Sequence, residues 1–250
     1  MRIRFSGTAS AIPAAGSGFT SFLVEVGGRL GLIDMGDNPA RAVLEADADP
    51  VELAFVAITH RHADHLGAFP ALIASLDCLR RSEALEVAAG PTVADDARHL
   101  LEFFGLLPET LSFPLHYVGS WASDDASLEL LDGNHSVPTS MVRLREGLAG
   151  VLYTSDCVFK PELVAANAAG CAVLIHEATC PESRLPPATG HSSARQAGLA
   201  AAAAGVERLF LCHLDPPAWR GAGDPVAEAR RVFSGEVIVP VPGTWYAVTP

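Results

Sequence analysis

Apolar positions near the start of the chain fall in short runs rather than in long helical stripes. Residues 2–5 alternate polar and apolar, residues 21–26 and 30–33 are apolar runs of strand length, and glycine-bearing stretches at 16–18 and 27–28 separate them. This pattern predicts short paired strands joined by turns. Residues 39–45 predict a short helix. Residues 53–58 form a continuous apolar run, which predicts a strand covered on both faces.

From His65 the period changes. Leu66, Phe69, Leu72, Ile73 and Leu76 recur at three- and four-residue spacing and predict one buried helical stripe. Residues 92–104 predict a second helix capped by Thr92, and several strands follow between residues 112 and 154. Strands and helices then alternate: helix 161–168, strand 171–175, alanine-rich helix 193–204, strand 206–211, helix 226–233 and two closing strands. Ser193 and Gln196 have capping-box spacing. Each half is strand-rich first and alternates with helices later, which predicts an α/β fold of two packed sheets with helices outside. At 250 residues one domain over 1–250 is expected.

Composition narrows the partners. The net charge is −12 and Lys160 is the single lysine, so a broad basic surface for long nucleic acid is not expected. A small anionic substrate stays compatible wherever bound cations supply local positive charge. The chain has no apolar run of bilayer length, and its amino terminus reaches glycine before a signal-peptide core forms, so a cytoplasmic protein with no membrane partner is expected. The cysteines, Cys78, Cys157, Cys171, Cys180 and Cys212, include no Cys-x-x-Cys pair and read as reduced core filler.

The densest chemistry lies in Thr59-His60-Arg61-His62-Ala63-Asp64-His65, with three imidazoles and one carboxylate within six residues, directly after an apolar strand. Imidazole and carboxylate are the ligands of zinc and similar ions, and a turn leaving a strand can fan alternate side chains towards two neighbouring metal positions. Three more candidates stand at the ends of apolar runs, where open sheets build their sites: His135, Asp156 and His213. By contrast, His99 sits in a predicted helix and His116 in a predicted strand, both as packing or surface residues. Cys157 and Cys212 adjoin candidate ligands, but neighbours in extended chain point oppositely, so their sulfurs are expected to face the core.

The His60 to His65 stretch matches the His-x-His-x-Asp-His signature of the metallo-β-lactamase superfamily, and the chain resembles that family over nearly its whole length. The resemblance implies an αββα sandwich of two mixed β-sheets flanked by helices, with two divalent metal ions, zinc or else manganese or iron. It implies that His60, His62 and His135 hold one ion, Asp64, His65 and His213 the other, and Asp156 bridges them. Asp34 corresponds to the family's supporting aspartate, which orients the histidine loop.

Asn134-His135-Ser136-Val137-Pro138-Thr139, His176-Glu177-Ala178-Thr179 and Gly190-His191-Ser192-Ser193 resemble ribonuclease Z and its phosphodiesterase relatives. In that branch Glu177 would orient His191 and keep it protonated, so that His191 assists the leaving oxygen. His191 also precedes the 193–204 helix, whose first-turn amides predict a phosphate-sized pocket. His176 is expected to be structural. Ribonuclease Z enzymes carry a long arm that grips transfer RNA between the segments equivalent to His135 and Asp156, whereas here two strands and a turn near Glu146-Gly147 join them.

The resulting expectation is a dinuclear metal-dependent hydrolase, with Asp64, Glu177 and His191 as catalytic residues. It would act on small or cyclic phosphodiesters through a metal-bridging hydroxide. The alternatives are a ribonuclease Z-type endonuclease that processes transfer RNA 3′ ends, a lactone or thioester hydrolase, and a non-catalytic scaffold. Loops 7–18 and 181–189 are expected to select the substrate, and the residues leave the oligomeric state open, a homodimer being one option because relatives often dimerise.

Overall fold

The computed structural model describes residues 1–186 and 190–249; positions 187–189 of the expected substrate loop lie outside the described residues. In chain order the elements are β1 (Arg2–Ala9), β2 (Gly18–Phe19), β3 (Ser21–Val26), β4 (Arg29–Ile33), α1 (Pro39–Leu44), β5 (Leu53–Ile58), α2 (Ala63–Leu66), α3 (Phe69–Cys78), β6 (Leu85–Ala89), α4 (Pro91–Phe103) and β7 (Leu115–Val118). There follow β8 (Ser120–Ala122), β9 (Ala126–Asp132), β10 (Ser140–Glu146), β11 (Ala149–Tyr153), α5 (Pro161–Asn167), β12 (Val173–Glu177), α6 (Ala194–Ala204), β13 (Arg208–Cys212), α7 (Pro216–Trp219), α8 (Pro225–Ala229), β14 (Glu236–Ile238) and β15 (Trp245–Ala247).

The strands form two sheets of the same design. The first runs β15-β1-β3-β4-β5-β6-β7 with β2 beside β1, and the second runs β14-β13-β12-β11-β10-β9-β8. Pairing in the first is antiparallel through β1, β3 and β4 and parallel from β4 to β7. In the second it is antiparallel from β8 to β11 and parallel from β11 to β14. The switch in each sheet follows from its connections, because a tight turn joins antiparallel neighbours while a helical crossover is needed to return a strand parallel.

The inner faces meet in a core that includes Phe5, Phe22, Phe55, Val142, Tyr153 and Phe210. The rings of Phe22 and Tyr153 pack edge to face across the sandwich at 5.1 Å between centroids. On the outside of the first sheet, Phe69, Leu72, Ile73 and Leu76 of α3 pack on Leu32, Val56, Ile58 and Val87. On the outside of the second, Ala194, Ala197, Ala200 and Ala201 of α6 pack on Leu174, Leu209 and Leu211. Helix, sheet, sheet and helix thus form an αββα sandwich. Among the described residues no helix is long and apolar enough to cross a membrane.

The structure corrects several expected boundaries. The stripe from Leu66 to Leu76 is buried, but it belongs to two helices, broken before Phe69 because Pro70 lies in the first turn of α3 and cannot continue a preceding helix. Thr92 is not the cap of α4. Gly90 holds that position without a side-chain bond, and Pro91 opens the helix, where its missing N–H costs nothing. The helix expected over 226–233 spans only Pro225–Ala229 and is capped by Asp224. The capping box of Ser193 and Gln196 is formed. Cys157, Cys171, Cys180 and Cys212 are buried, but Cys78 is exposed at the end of α3 and is not core filler.

Candidate metal centre

The site lies at the carboxyl ends of the parallel strands of both sheets, which face each other there. Three residues just beyond these strands turn the chain through left-handed backbone: Asp34 after β4 (φ 55°), Ser155 after β11 (φ 55°) and His213 after β13 (φ 54°). Such a conformation costs a non-glycine residue on the order of 1 kcal/mol, and surrounding contacts must hold it. The loop after Asp34 is drawn tightly onto the histidine motif, since a Cβ on Gly36 would lie 2.0 Å from the Asp64 carbonyl oxygen.

All seven expected ligands converge. One atom from each of His60, His62, His135 and Asp156 forms a group within 4.8 Å, and Asp64, His65 and His213 form a second group within the same limit. Asp156 stands between them. Its Oδ2 is 3.7 Å from His60 Nε2, 3.9 Å from His135 Nε2 and 3.2 Å from His213 Nε2, and its Oδ1 is 3.4 Å from His65 Nε2.

The outward nitrogen of most of these imidazoles is pinned by a specific partner. His135 Nδ1 donates to the Gly190 carbonyl at 2.7 Å. His65 Nδ1 donates to Asp34 Oδ2 at 2.8 Å. Thr59 donates its hydroxyl proton to Asp34 Oδ2 at 2.9 Å, so it accepts from His60 Nδ1 at 3.0 Å. The backbone N–H of Thr59 donates to Asp34 Oδ1 at 2.8 Å, and Tyr153 Oη lies 3.3 Å from Oδ2. The bonds of His135, His65 and His60 put the ring proton on the outside and turn a bare lone pair inward.

That arrangement fits a cation. His62 Nδ1 lies 3.0 Å from His60 Nε2 and 3.3 Å from His135 Nε2, and one proton on His62 satisfies only one of these facing lone pairs. His65 Nε2 and Asp156 Oδ1 are both buried without a hydrogen-bond partner. Buried polar atoms are rarely left so, and a shared positive ion satisfies them together.

Charge balance agrees. Burial, reinforced by the neighbouring His65, pushes the His60 imidazole down to about 2, so it is a neutral donor. Burial pushes the Asp64 carboxyl up, yet His213 and His65 outweigh it and bring the group down to about 2. Asp156 is held well below the ordinary carboxylate range by His213 and His65 against the same burial. His65 shows the demand for positive charge most plainly: burial disfavours protonation, but Asp156 and Asp34 raise its proton affinity well above the ordinary imidazole range, a pull that a cation at Nε2 would answer in the proton's place.

Beside this cluster stand the expected pair. His191 Nδ1 is 3.1 Å from Glu177 Oε1 and 3.8 Å from Asp156 Oδ2. Burial works against its protonation, but the Glu177 bond and charge, with Asp156 and Asp64, raise it to about 9. Glu177 is fully buried and also accepts from the Cys157 amide at 2.8 Å and from Thr179 Oγ1 at 2.5 Å. The Thr179 hydroxyl lies 3.0 Å from His213 Nδ1.

The free amides expected at the start of α6 are already engaged among the described residues. The Ser193 amide donates to Gln196 Oε1, the Gln196 amide to Ser193 Oγ, and the Arg195 amide to Glu228 Oε1. The protein's own groups occupy the positive end of that helix, and the Glu182 carboxylate bonds Ser193 as well. His176 is structural, as expected: it is buried, with Nδ1 on the Glu177 carbonyl at 2.7 Å. His99 and His116 are exposed and away from the cluster. The sulfurs of Cys157 and Cys212 are turned into the interior, Cys157 Sγ being 3.8 Å from His176 Nε2. Three supporting hydroxyls carry no spacing signal of their own in the sequence: Thr59, Ser155, which donates to Thr59 Oγ1 at 2.8 Å, and Thr179.

Residues 32–214 match the family described as "Beta-lactamase superfamily domain". A ribonuclease Z from Methanothermobacter thermautotrophicus is 26% identical over 266 aligned positions, covering 86% of this chain and 86% of its own. The metallo-beta-lactamase fold protein YhfI from Bacillus subtilis superposes with a TM-score of 0.82 at 22% identity, covering 98% of both chains. A diphosphatase of the PhnP family superposes with a TM-score of 0.75 at 16% identity, covering 98% of this chain and 97% of its own. At such identities the two structures speak to the fold alone.

Proposed function

The chain belongs to the metallo-β-lactamase superfamily as a ribonuclease Z-like, metal-dependent hydrolase, and on that premise we propose that it cleaves small or cyclic phosphodiesters. His60, His62 and His135 would hold one divalent ion, Asp64, His65 and His213 a second, and Asp156 would serve both. An imidazole-rich set completed by carboxylates suits zinc. Bound there, the ions supply an acidified water and neutralise charge on the phosphoryl oxygens.

The chain's own residues do the rest. Asp64 and Asp156 orient the attacking water by accepting its hydrogen bonds. With its Nδ1–H bonded to Glu177, the His191 imidazolium gives its Nε2 proton to the departing oxygen. Leaving alkoxides need such a donor, and a positioned acid contributes roughly 10²–10⁴-fold. The observation that carries this reading is the His191–Glu177 pair, 3.1 Å apart and beside Asp156. A bare ligand cage serves acyl and phosphoryl substrates alike, whereas this pair suits a poor leaving group on phosphorus.

Small substrates are favoured over transfer RNA for two reasons. The net charge is −12, and β10 turns into β11 directly, with Glu146 opposite Ala149, where an arm would otherwise emerge. The ribonuclease Z relative supports phosphodiester chemistry, and the PhnP-family diphosphatase has a comparable fold. The five cysteines are free, which suits the cytoplasmic setting we propose.

A panel with defined zinc tests this: bis(p-nitrophenyl) phosphate, cyclic nucleotides, linear dinucleotides, precursor transfer RNA, a lactone and a thioester. Turnover of the small phosphodiesters with none of the acyl substrates is expected. Turnover of only the lactone or thioester, or of only the precursor RNA, overturns the assignment.

A further inference from the structure

We propose that Thr179 is a positioning residue that locks His213 in its metal-binding tautomer and Glu177 in the orientation that serves His191, so that one hydroxyl joins metal uptake to proton delivery. The proposal rests on the dinuclear reading above. A threonine hydroxyl has one proton to give. Here it goes to Glu177 Oε2 at 2.5 Å, so the contact to His213 Nδ1 at 3.0 Å requires the ring to be the donor. The His213 proton is thereby held outside and Nε2 is left bare, facing Asp156 Oδ2 at 3.2 Å and Asp64 Oδ2 at 3.3 Å.

The same contact fixes the carboxylate. Glu177 Oε2 takes the Thr179 proton while Oε1 takes the Cys157 amide and His191 Nδ1, so the buried group has a donor on each oxygen. Removing the hydroxyl takes away the donor seen at Oε2 and the acceptor that selects the His213 tautomer. The main chain around Thr179 is held independently, its N–H on the Ser192 carbonyl at 3.1 Å and its own carbonyl receiving the Asp215 N–H at 2.9 Å. A change of side chain therefore leaves the frame in place.

The first half of the molecule contains the same device. Thr59, just past β5, gives its proton to Asp34 and accepts from His60. Thr179, just past β12, gives its proton to Glu177 and accepts from His213. In each half a carboxylate, a threonine and an imidazole form a line, and the two lines end on the two different metal positions.

Thr179→Val keeps the shape and removes the hydroxyl, and Thr179→Ser restores it without the methyl. Metal-free protein titrated with zinc, with content checked after dialysis, should show two tight equivalents in the wild type. Thr179→Val should show one tight equivalent and one weakened by roughly 10–100-fold, the size expected for loss of a partner behind a ligand. The serine variant should bind as the wild type does. At saturating zinc, Thr179→Val should lower kcat on bis(p-nitrophenyl) phosphate more than it changes KM. The melting temperature of the metal-free variants should match the wild type, and should Val disturb it, Thr179→Ala repeats the measurement with a smaller side chain. Two tight equivalents in a variant lacking the hydroxyl, or a serine variant as weak as valine, overturns the proposal. Fewer than two equivalents in the wild type instead overturns the dinuclear reading on which it stands.

Discussion

In the first sheet the parallel strands β4, β5 and β6 end at Asp34, at the His60 to His65 loop and at Gly90; in the second, β11, β12 and β13 end at Asp156, Glu177 and His213. The topologies match, but the chemistry is distributed differently. The first half places four candidate ligands on the short segment that leads from β5 into α2 and backs two of them, His65 and, through Thr59, His60, from a single hub, Asp34, which bonds Thr59 twice and His65 once. The second half delivers Asp156, Glu177 and His213 from three parallel strand ends, whose register sets their geometry, and adds His135 from the turn between β9 and β10. A loop concentrates ligands, whereas a sheet aims them from several directions, and the centre between the sheets needs both.

The largest break in this division should come from the shared centre. Asp64→Ala removes a carboxylate that faces His213 at 3.3 Å and His65 at 3.5 Å. Several kcal/mol of charge stabilisation go with it, so metal-dependent turnover should fall by about 10³-fold or more in steady-state assays. His191→Ala should slow turnover on the order of 10²-fold while metal content by elemental analysis stays that of the wild type, because His191 acts on the leaving group. Equal loss of metal in that variant would make His191 a ligand instead.

The contrast between the halves is sharpened by two substitutions of one kind. Asp34→Asn should weaken both metal positions, roughly 10–100-fold each by zinc titration, since Asp34 reaches His65 directly and His60 through Thr59. Glu177→Gln should weaken only the His213 position, which it reaches through Thr179. A loss confined to one position in Asp34→Asn, or spread over both positions in Glu177→Gln, would erase the distinction between hub and strand ends.

The smallest effect concerns pH. In metal-free protein the folded His191 imidazole is raised from 6.5 to about 9, with burial opposing and Glu177 prevailing. Its pairing therefore stabilises the fold fully below pH 6.5, and that contribution is lost as pH rises through about 9. Chemical denaturation across this window should show a decline in the wild type that His191→Ala lacks.

These differences also explain what could be read from the residues. The His60 to His65 loop is legible because its ligands are adjacent in the chain, and Asp156 and His213 because each follows an apolar strand. The break before Phe69 was signalled by Pro70, and the start of α4 by Pro91, but the apolar period and the polar Thr92 drew the expectation elsewhere. The closed end of α6 had no local signal. Glu228, which takes the Arg195 amide, lies 33 residues further along the chain, and only the fold brings it there. Hydroxyl relays are the least legible, since threonine and serine are common and their role depends on which neighbour takes the single proton.

Anomalous scattering from crystals grown with zinc addresses the centre itself. Two peaks are expected, one about 2.1 Å from nitrogens of His60, His62 and His135 and one at similar distance from Asp64, His65 and His213, with Asp156 between them. A single peak, or none among these residues, contradicts a two-metal centre built by both halves of the sandwich.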